Sequence, residues 1–110
     1  MKEVTIRQLQ AYLKEHYKDS RTEEGLFIKL VEEVGEVDEV LNGRSGRKEG
    51  VKDSNEELSK ELADIIHYTV AIAAINDIDL TKTIFKKDKT AAVKYQHEKD
   101  LEQFLAEKSI

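Results

Sequence analysis

The sequence predicts an all-α protein, on three observations. No proline interrupts its 110 residues, so no position is barred from a helix interior. It is rich in Glu, Lys, Leu and Ala, which are among the better helix formers. Its apolar residues recur at three- and four-residue steps over residues 26–41 and 54–76, the signature of an amphipathic helix.

Composition narrows the function classes. A chain of 110 residues is expected to be one domain. A domain of this size buries only about two-thirds of its unfolded surface, so a homodimer or homotetramer is expected. The absence of cysteine excludes disulfides, thiol catalysis and cysteine metal sites. It is compatible with a reducing compartment, and the expected location is cytoplasmic. Met1-Lys2-Glu3-Val4-Thr5 leads straight into an amphipathic stretch, so no signal peptide is expected. No apolar run approaches the ~20 residues of a membrane span. The net charge of −5 is unfavourable for nucleic-acid binding. An anionic nucleotide would need local neutralisation here, which points to a metal.

The elements follow in order. Thr5 caps a first helix, with Gln8 at the capping-box position. Ile6, Leu9 and Leu13, with Tyr12 and Tyr17, form its stripe, and Lys18-Asp19-Ser20-Arg21 ends it. Thr22 caps a second helix that runs to Asn42-Gly43. With Glu32 at zero and about 100° per residue, Leu26, Phe27, Leu30, Val34, Val37 and Leu41 fall between roughly 120° and 220°. That stripe must be buried. Glu32, Glu36 and Glu33 fall at roughly 0°, 40° and 100°, with Glu33 at the stripe's edge. A solvated face would intersperse lysines among such acids, and only Lys29 comes near. Gly35, in mid-helix, costs about 1 kcal/mol relative to alanine. Close approach of a partner helix would explain it.

Residues 43–53 hold three glycines and four basic residues. They read as a connector, or as a lid whose Arg44, Arg47 or Lys48 meets phosphate. The spacing of a Walker loop is absent. Ser54 and Glu57 form a capping box that opens a third helix. Leu58, Leu62, Ile65, Ile66, Thr69 and Ala73 give its stripe, with Glu61 and Asp64 on the flank. Tyr68, Ala71, Ile72 and Ile75 lie within about 80° of Glu61, so this helix is apolar on a second side and is expected to meet a partner subunit. Asp64-x-x-His67 resembles half of a Glu-x-x-His ligand pair, but a single copy favours a structural histidine. Packing the two stripes together would converge Glu32, Glu33, Glu36, Glu61 and Asp64. Their repulsion calls for a hard cation, magnesium or manganese. Asp79 caps a fourth helix after the turn Asn76-Asp77-Ile78. Ile84 and Phe85 continue its stripe, and Lys86, Lys87, Lys89 and Lys94 cluster along it. Residues 96–110, with Leu101, Phe104 and Leu105, form a final short helix.

The spacing Glu32-Glu33-x-x-Glu36, then 24 residues, then Glu61-x-x-Asp64 resembles the EExxE…ExxD signature of the MazG-like all-α nucleoside triphosphate pyrophosphohydrolases. The flanking words are similar too: Leu9-Gln10 with Tyr12, Lys29-Leu30, Gly35, Ala63-Asp64 and Ile78-Asp79-Leu80. The resemblance covers residues 4–90 and leaves 96–110 outside. It implies a subunit of a four-to-five-helix bundle, assembling through helix–helix packing. It implies magnesium-dependent hydrolysis, with manganese as a substitute, of a nucleoside or deoxynucleoside triphosphate to monophosphate and pyrophosphate. Glu33, Glu36, Glu61 and Asp64 are then the metal ligands. Glu32 is a further ligand or the base that orients water, and Glu32 and Glu33 form the catalytic pair. Lys29, Lys86, Lys87 and Lys89 are the substrate contacts, and His16 and Tyr17 are candidates for walling the base. The family's lysine–asparagine–basic pattern is replaced here by Lys86-Lys87-Asp88-Lys89. The alternatives are a phosphoribosyl-ATP pyrophosphohydrolase-like enzyme or a non-catalytic helical interaction module. A di-iron bundle is disfavoured, because it needs two Glu-x-x-His pairs and only three histidines are present. Base, sugar and a house-cleaning role stay open.

Overall fold

The computed structural model of the chain describes residues 2–19, 22–44 and 54–108. These form five helices: α1 (Ile6–Tyr17), α2 (Glu23–Arg44), α3 (Ser54–Ile75), α4 (Leu80–Lys94) and α5 (Leu101–Lys108). The all-α expectation holds, as does the order of the elements. No helix among the described residues is long and apolar enough to cross a membrane. The chain divides into two compact units, Met1–Ile78 and Asp79–Ile110.

The first unit is built on α3, which packs against both α2 and α1. Its helix starts are written locally. The Thr5 hydroxyl accepts from the Gln8 backbone N–H at 3.0 Å, and the Thr5 N–H donates to Gln8 Oε1 at 2.8 Å. This is the reciprocal capping box. The Thr22 hydroxyl accepts from the Gly25 N–H at 3.2 Å. The Ser54 side chain and the loop 45–53, with its candidate lid residues Arg47 and Lys48, lie outside the described residues. The Arg44 side chain donates to Asn55 Oδ1 across that loop. Helix α2 includes Gly43 and Arg44, slightly past the expected stop.

The core is small. Leu13 and Leu26 are the largest fully buried side chains, joined by Tyr17, Val40, Val70, Ala71, Ala73 and Ala74. The alanines of α3 let its neighbours approach closely. On α2 the inward positions are Leu26, Leu30, Glu33, Val37 and Val40, a four–three–four–three spacing that follows one seam. The expected stripe is therefore turned. Phe27 stays 57% exposed, Val34 52% and Ile66 52%, and Leu41 and Leu62 are exposed too. The sequence offers α2 and α3 more apolar surface than one chain can cover, and the seam takes only part of it. Among the described residues, no atom of another element comes within 4 Å of a Cβ built on Gly35, so the close helix approach expected there is not seen among them.

The turn after α3 closes the unit. Asp77 adopts a left-handed φ of 55°, which Asp tolerates better than most residues. The Ile78 N–H bonds to the Ala73 carbonyl at 3.0 Å and the Asp77 N–H to that of Ala74 at 3.2 Å, a Schellman ending. Lys14 pairs with Asp77, and the Gln10 side-chain amide donates to the Ile78 carbonyl at 2.6 Å. Asn76 Nδ2 reaches Glu23 Oε2 at 2.9 Å. These bonds fix both neighbours to the end of α3.

The second unit is a helix pair. Asp79 caps α4, accepting from the Lys82 N–H at 3.2 Å. Gln96 ends it with φ 57° and the same Schellman pattern, His97 N–H to the Ala92 carbonyl at 2.9 Å. Asp100 and Gln103 form a capping box for α5 at 2.8 Å each way. Asp88 Oδ2 accepts from the Leu101 N–H at 2.6 Å. The residue that departs from the expected lysine–asparagine pattern thus serves the α4–α5 corner.

Candidate metal centre

Two inward seam positions carry carboxylates instead of apolar side chains. Glu33 takes one on α2, and Glu61 takes one on α3 between Leu58 and Ile65. Asp64 follows Glu61 by three residues, which places it on the adjacent flank of the same helix. Carboxylate oxygens of Glu33, Glu61 and Asp64 lie within 4.8 Å of one another. Glu33 and Glu61 are half-buried, while Asp64 is exposed. The group therefore has a protein floor and an open side.

Its electrostatics are unbalanced. Glu33 is pushed up from its ordinary 4.5 to about 7. The first cause is its hydrogen bond with the Glu61 side chain, then loss of water, then the charges of Glu61 and Asp64. Sharing a proton between Glu33 and Glu61 is how the chain by itself relieves like-charge repulsion. Glu61 Oε2 is buried without a hydrogen-bond partner. A divalent cation would answer both features, because it accepts the orphaned lone pair and displaces the shared proton. Three carboxylates and no nitrogen or sulfur donor suit magnesium or manganese. The residues present fit such an ion.

The other expected site residues are distributed as follows. Glu32 is exposed and pairs with Lys29 at 3.3 Å. Glu36 is exposed and stands outside the group of three. The five-carboxylate convergence expected from the sequence is thus three carboxylates brought together, with Glu32 and Glu36 on the solvent side of α2. Lys86 and Lys87 are exposed on α4, and Lys89 lies 3.8 Å from Glu102; these three belong to the second unit. His16 is exposed, and Tyr17 is buried.

Sequence reasoning missed one contact. Tyr17 Oη and His67 Nε2 are 2.6 Å apart, joining α1 to α3 one turn after Asp64. No periodicity signals it, since it depends on how α1 lies along α3. Around it run ring contacts from His16 to Tyr17 (4.7 Å between centroids), Tyr17 to His67 (5.7 Å) and His67 to Tyr68 (4.9 Å).

Comparison with known proteins identifies the family. The pattern that defines the MazG nucleotide pyrophosphohydrolase domain matches residues 21–99, a span that includes all three clustered carboxylates. The fold is similar to the crystal structure of iMazG from Vibrio DAT 722, with a TM-score of 0.63 and 33% identity. That similarity covers 84% of this chain and 98% of the other. Comparison with curated proteins gives no match. A domain match over most of the chain, together with a helical fold shared almost end to end with iMazG, shows that this chain belongs to the MazG nucleotide pyrophosphohydrolase family.

Proposed function

We propose that the protein hydrolyses a nucleoside or deoxynucleoside triphosphate between its α and β phosphates, with magnesium as the cofactor. The observation that carries this reading is the convergence of Glu33, Glu61 and Asp64 around an unmet, buried Glu61 oxygen. That arrangement is costly without a cation. A bound magnesium would neutralise the triphosphate and polarise the α-phosphorus.

Each residue then has a task. Glu33, Glu61 and Asp64 would hold the ion, and Glu36, one turn beyond Glu33, would be a further ligand. Glu32 orients the attacking water and takes its proton. Lys29, at 3.3 Å from Glu32, offers the phosphates a positive charge beside the acids. Water oxygen bonds to the α-phosphorus, the bridge to the β-phosphorus breaks, and pyrophosphate leaves with the bridging oxygen. We further propose that two copies associate through the exposed apolar flank of α2 and α3 (Phe27, Val34, Leu41, Leu62 and Ile66), whose burial offsets the smallness of the core.

Hydrolysis in heavy-oxygen water tests the reaction. The label is expected in the nucleoside monophosphate, with magnesium required. Label in orthophosphate, release of nucleoside diphosphate, or the absence of any magnesium-dependent pyrophosphate release across a panel of triphosphates would refute the reading.

A further inference from the structure

One histidine lies one turn beyond Asp64 on α3 without belonging to the carboxylate group. His67 follows Asp64 by three residues, so the two side chains project from one face of α3 with Cβ atoms about 5–6 Å apart. Carboxylate and imidazole at that spacing make a ligand pair in helical bundles, and imidazole draws cobalt, nickel and zinc more strongly than it draws magnesium or manganese. The chain therefore carries, beside an all-oxygen site, a nitrogen ligand of the wrong softness for it.

The structure shows what engages that ligand. His67 Nε2 sits 2.6 Å from Tyr17 Oη. Tyr17 is 8% exposed, so its hydroxyl sits on a packed side chain of α1 and has little freedom to move away. The ring itself is braced by edge contacts with Tyr17 at 5.7 Å and Tyr68 at 4.9 Å. Whichever partner carries the proton, Nε2 faces α1. The half-buried imidazole has its hydrogen bond met there, so swinging toward the carboxylates would break the bond to Tyr17.

We propose that Tyr17 holds His67 away from Glu33, Glu61 and Asp64 and thereby sets the metal preference of the site, keeping it all-oxygen. Tyr17 is a positioning residue in this role, acting through His67. The proposal rests on the metal-dependent reading above.

The test uses manganese and cobalt ions alone, titrated calorimetrically into the metal-free protein, with the visible absorption of bound cobalt reporting nitrogen ligation. Tyr17→Phe removes the hydroxyl and keeps the ring. It is expected to raise the cobalt-to-manganese affinity ratio about tenfold and to shift and strengthen the cobalt bands. Adding His67→Gln to that variant returns ratio and spectrum to those of the parent. His67→Gln alone is expected to leave both unchanged, since His67 is no ligand in the parent. An unchanged ratio in a folded Tyr17→Phe protein overturns the proposal, and so does loss of cobalt affinity in His67→Gln alone. Where Tyr17→Phe does not fold, Tyr17→Leu, which also lacks the hydroxyl, is judged by the same ratio and the same cobalt spectrum. A parent that binds neither ion refutes the metal-dependent reading itself, a result distinguishable from an unchanged ratio between two ions that both bind.

Discussion

The raised Glu33 makes the metal-free protein less stable as pH rises. In the unfolded chain Glu33 ionises near 4.5, and in the folded chain near 7. Below pH 4.5 the carboxyl is protonated in both states, and the folded chain has its full stability. Between pH 4.5 and 7 the unfolded chain releases the proton while the folded chain retains it, so stability is lost as pH climbs, and above 7 no more is lost from this group. At about 1.36 kcal/mol per tenfold change in proton concentration, a wholly dry group would forfeit roughly 3 kcal/mol. Glu33 is half-buried beside the exposed Asp64, so water screens the repulsion, and we expect about 1–1.5 kcal/mol. In a chain of this size that is a fall in Tm of about 4–6 °C. Thermal melts in a chelator at pH 5 and pH 8 measure it. Glu33→Gln keeps the shape and can still donate to Glu61, but it has no charge to gain. Its metal-free Tm is expected to lack that fall and to exceed the parent's at pH 8 by about 4 °C. Saturating magnesium reverses the order. At a hundredfold excess over Kd it stabilises the parent by about 2.7 kcal/mol and the variant much less. A parent whose metal-free Tm is flat between pH 5 and 8, or a variant that falls as steeply, would refute the argument that Glu33 and Glu61 share a proton.

Two further outcomes are expected. Gly35→Ala meets open space and replaces the poorer helix former, so it should stabilise the protein by about 1 kcal/mol in chemical denaturation. A loss of stability would show that a second chain presses on that glycine. Ile66→Asp places a charge on the exposed apolar flank of α3. Light scattering should find a multiple of 12.6 kDa for the parent and the single-chain mass for the variant, and a monomeric parent would sink the proposed association.

The helices and the chemical character of the site were legible in the sequence because the signals are local. Thr5 with Gln8, Thr22 and Asp79 each mark a helix start through bonds spanning three residues. Glu61 and Asp64 share a flank because three residues make most of a turn. The Asp100–Gln103 capping box of α5 was equally local and went unread. The phase of α2 was not legible, because its apolar residues cover more of the wheel than one contact consumes. A stripe that takes in Phe27, Val34 and Leu41 with Leu26, Leu30 and Val37, and a seam through Leu26, Leu30, Val37 and Val40, are both consistent with the pattern.

The sequence by itself thus determined five helices, their order, the caps at Thr5, Thr22 and Asp79, and an acidic flank bordering apolar surface. Only the tertiary structure decided that Glu33 and Glu61 turn inward while Glu32 and Glu36 stay in water. It alone decided that Asp88 is spent on the Leu101 N–H and that Tyr17 engages His67 across 50 residues of chain. The physical reason is the range of the forces. Caps and periodicity are settled within a turn, whereas the rotation of each helix about its axis is settled by which side chains of α1 and α2 fit against the alanine-rich face of α3.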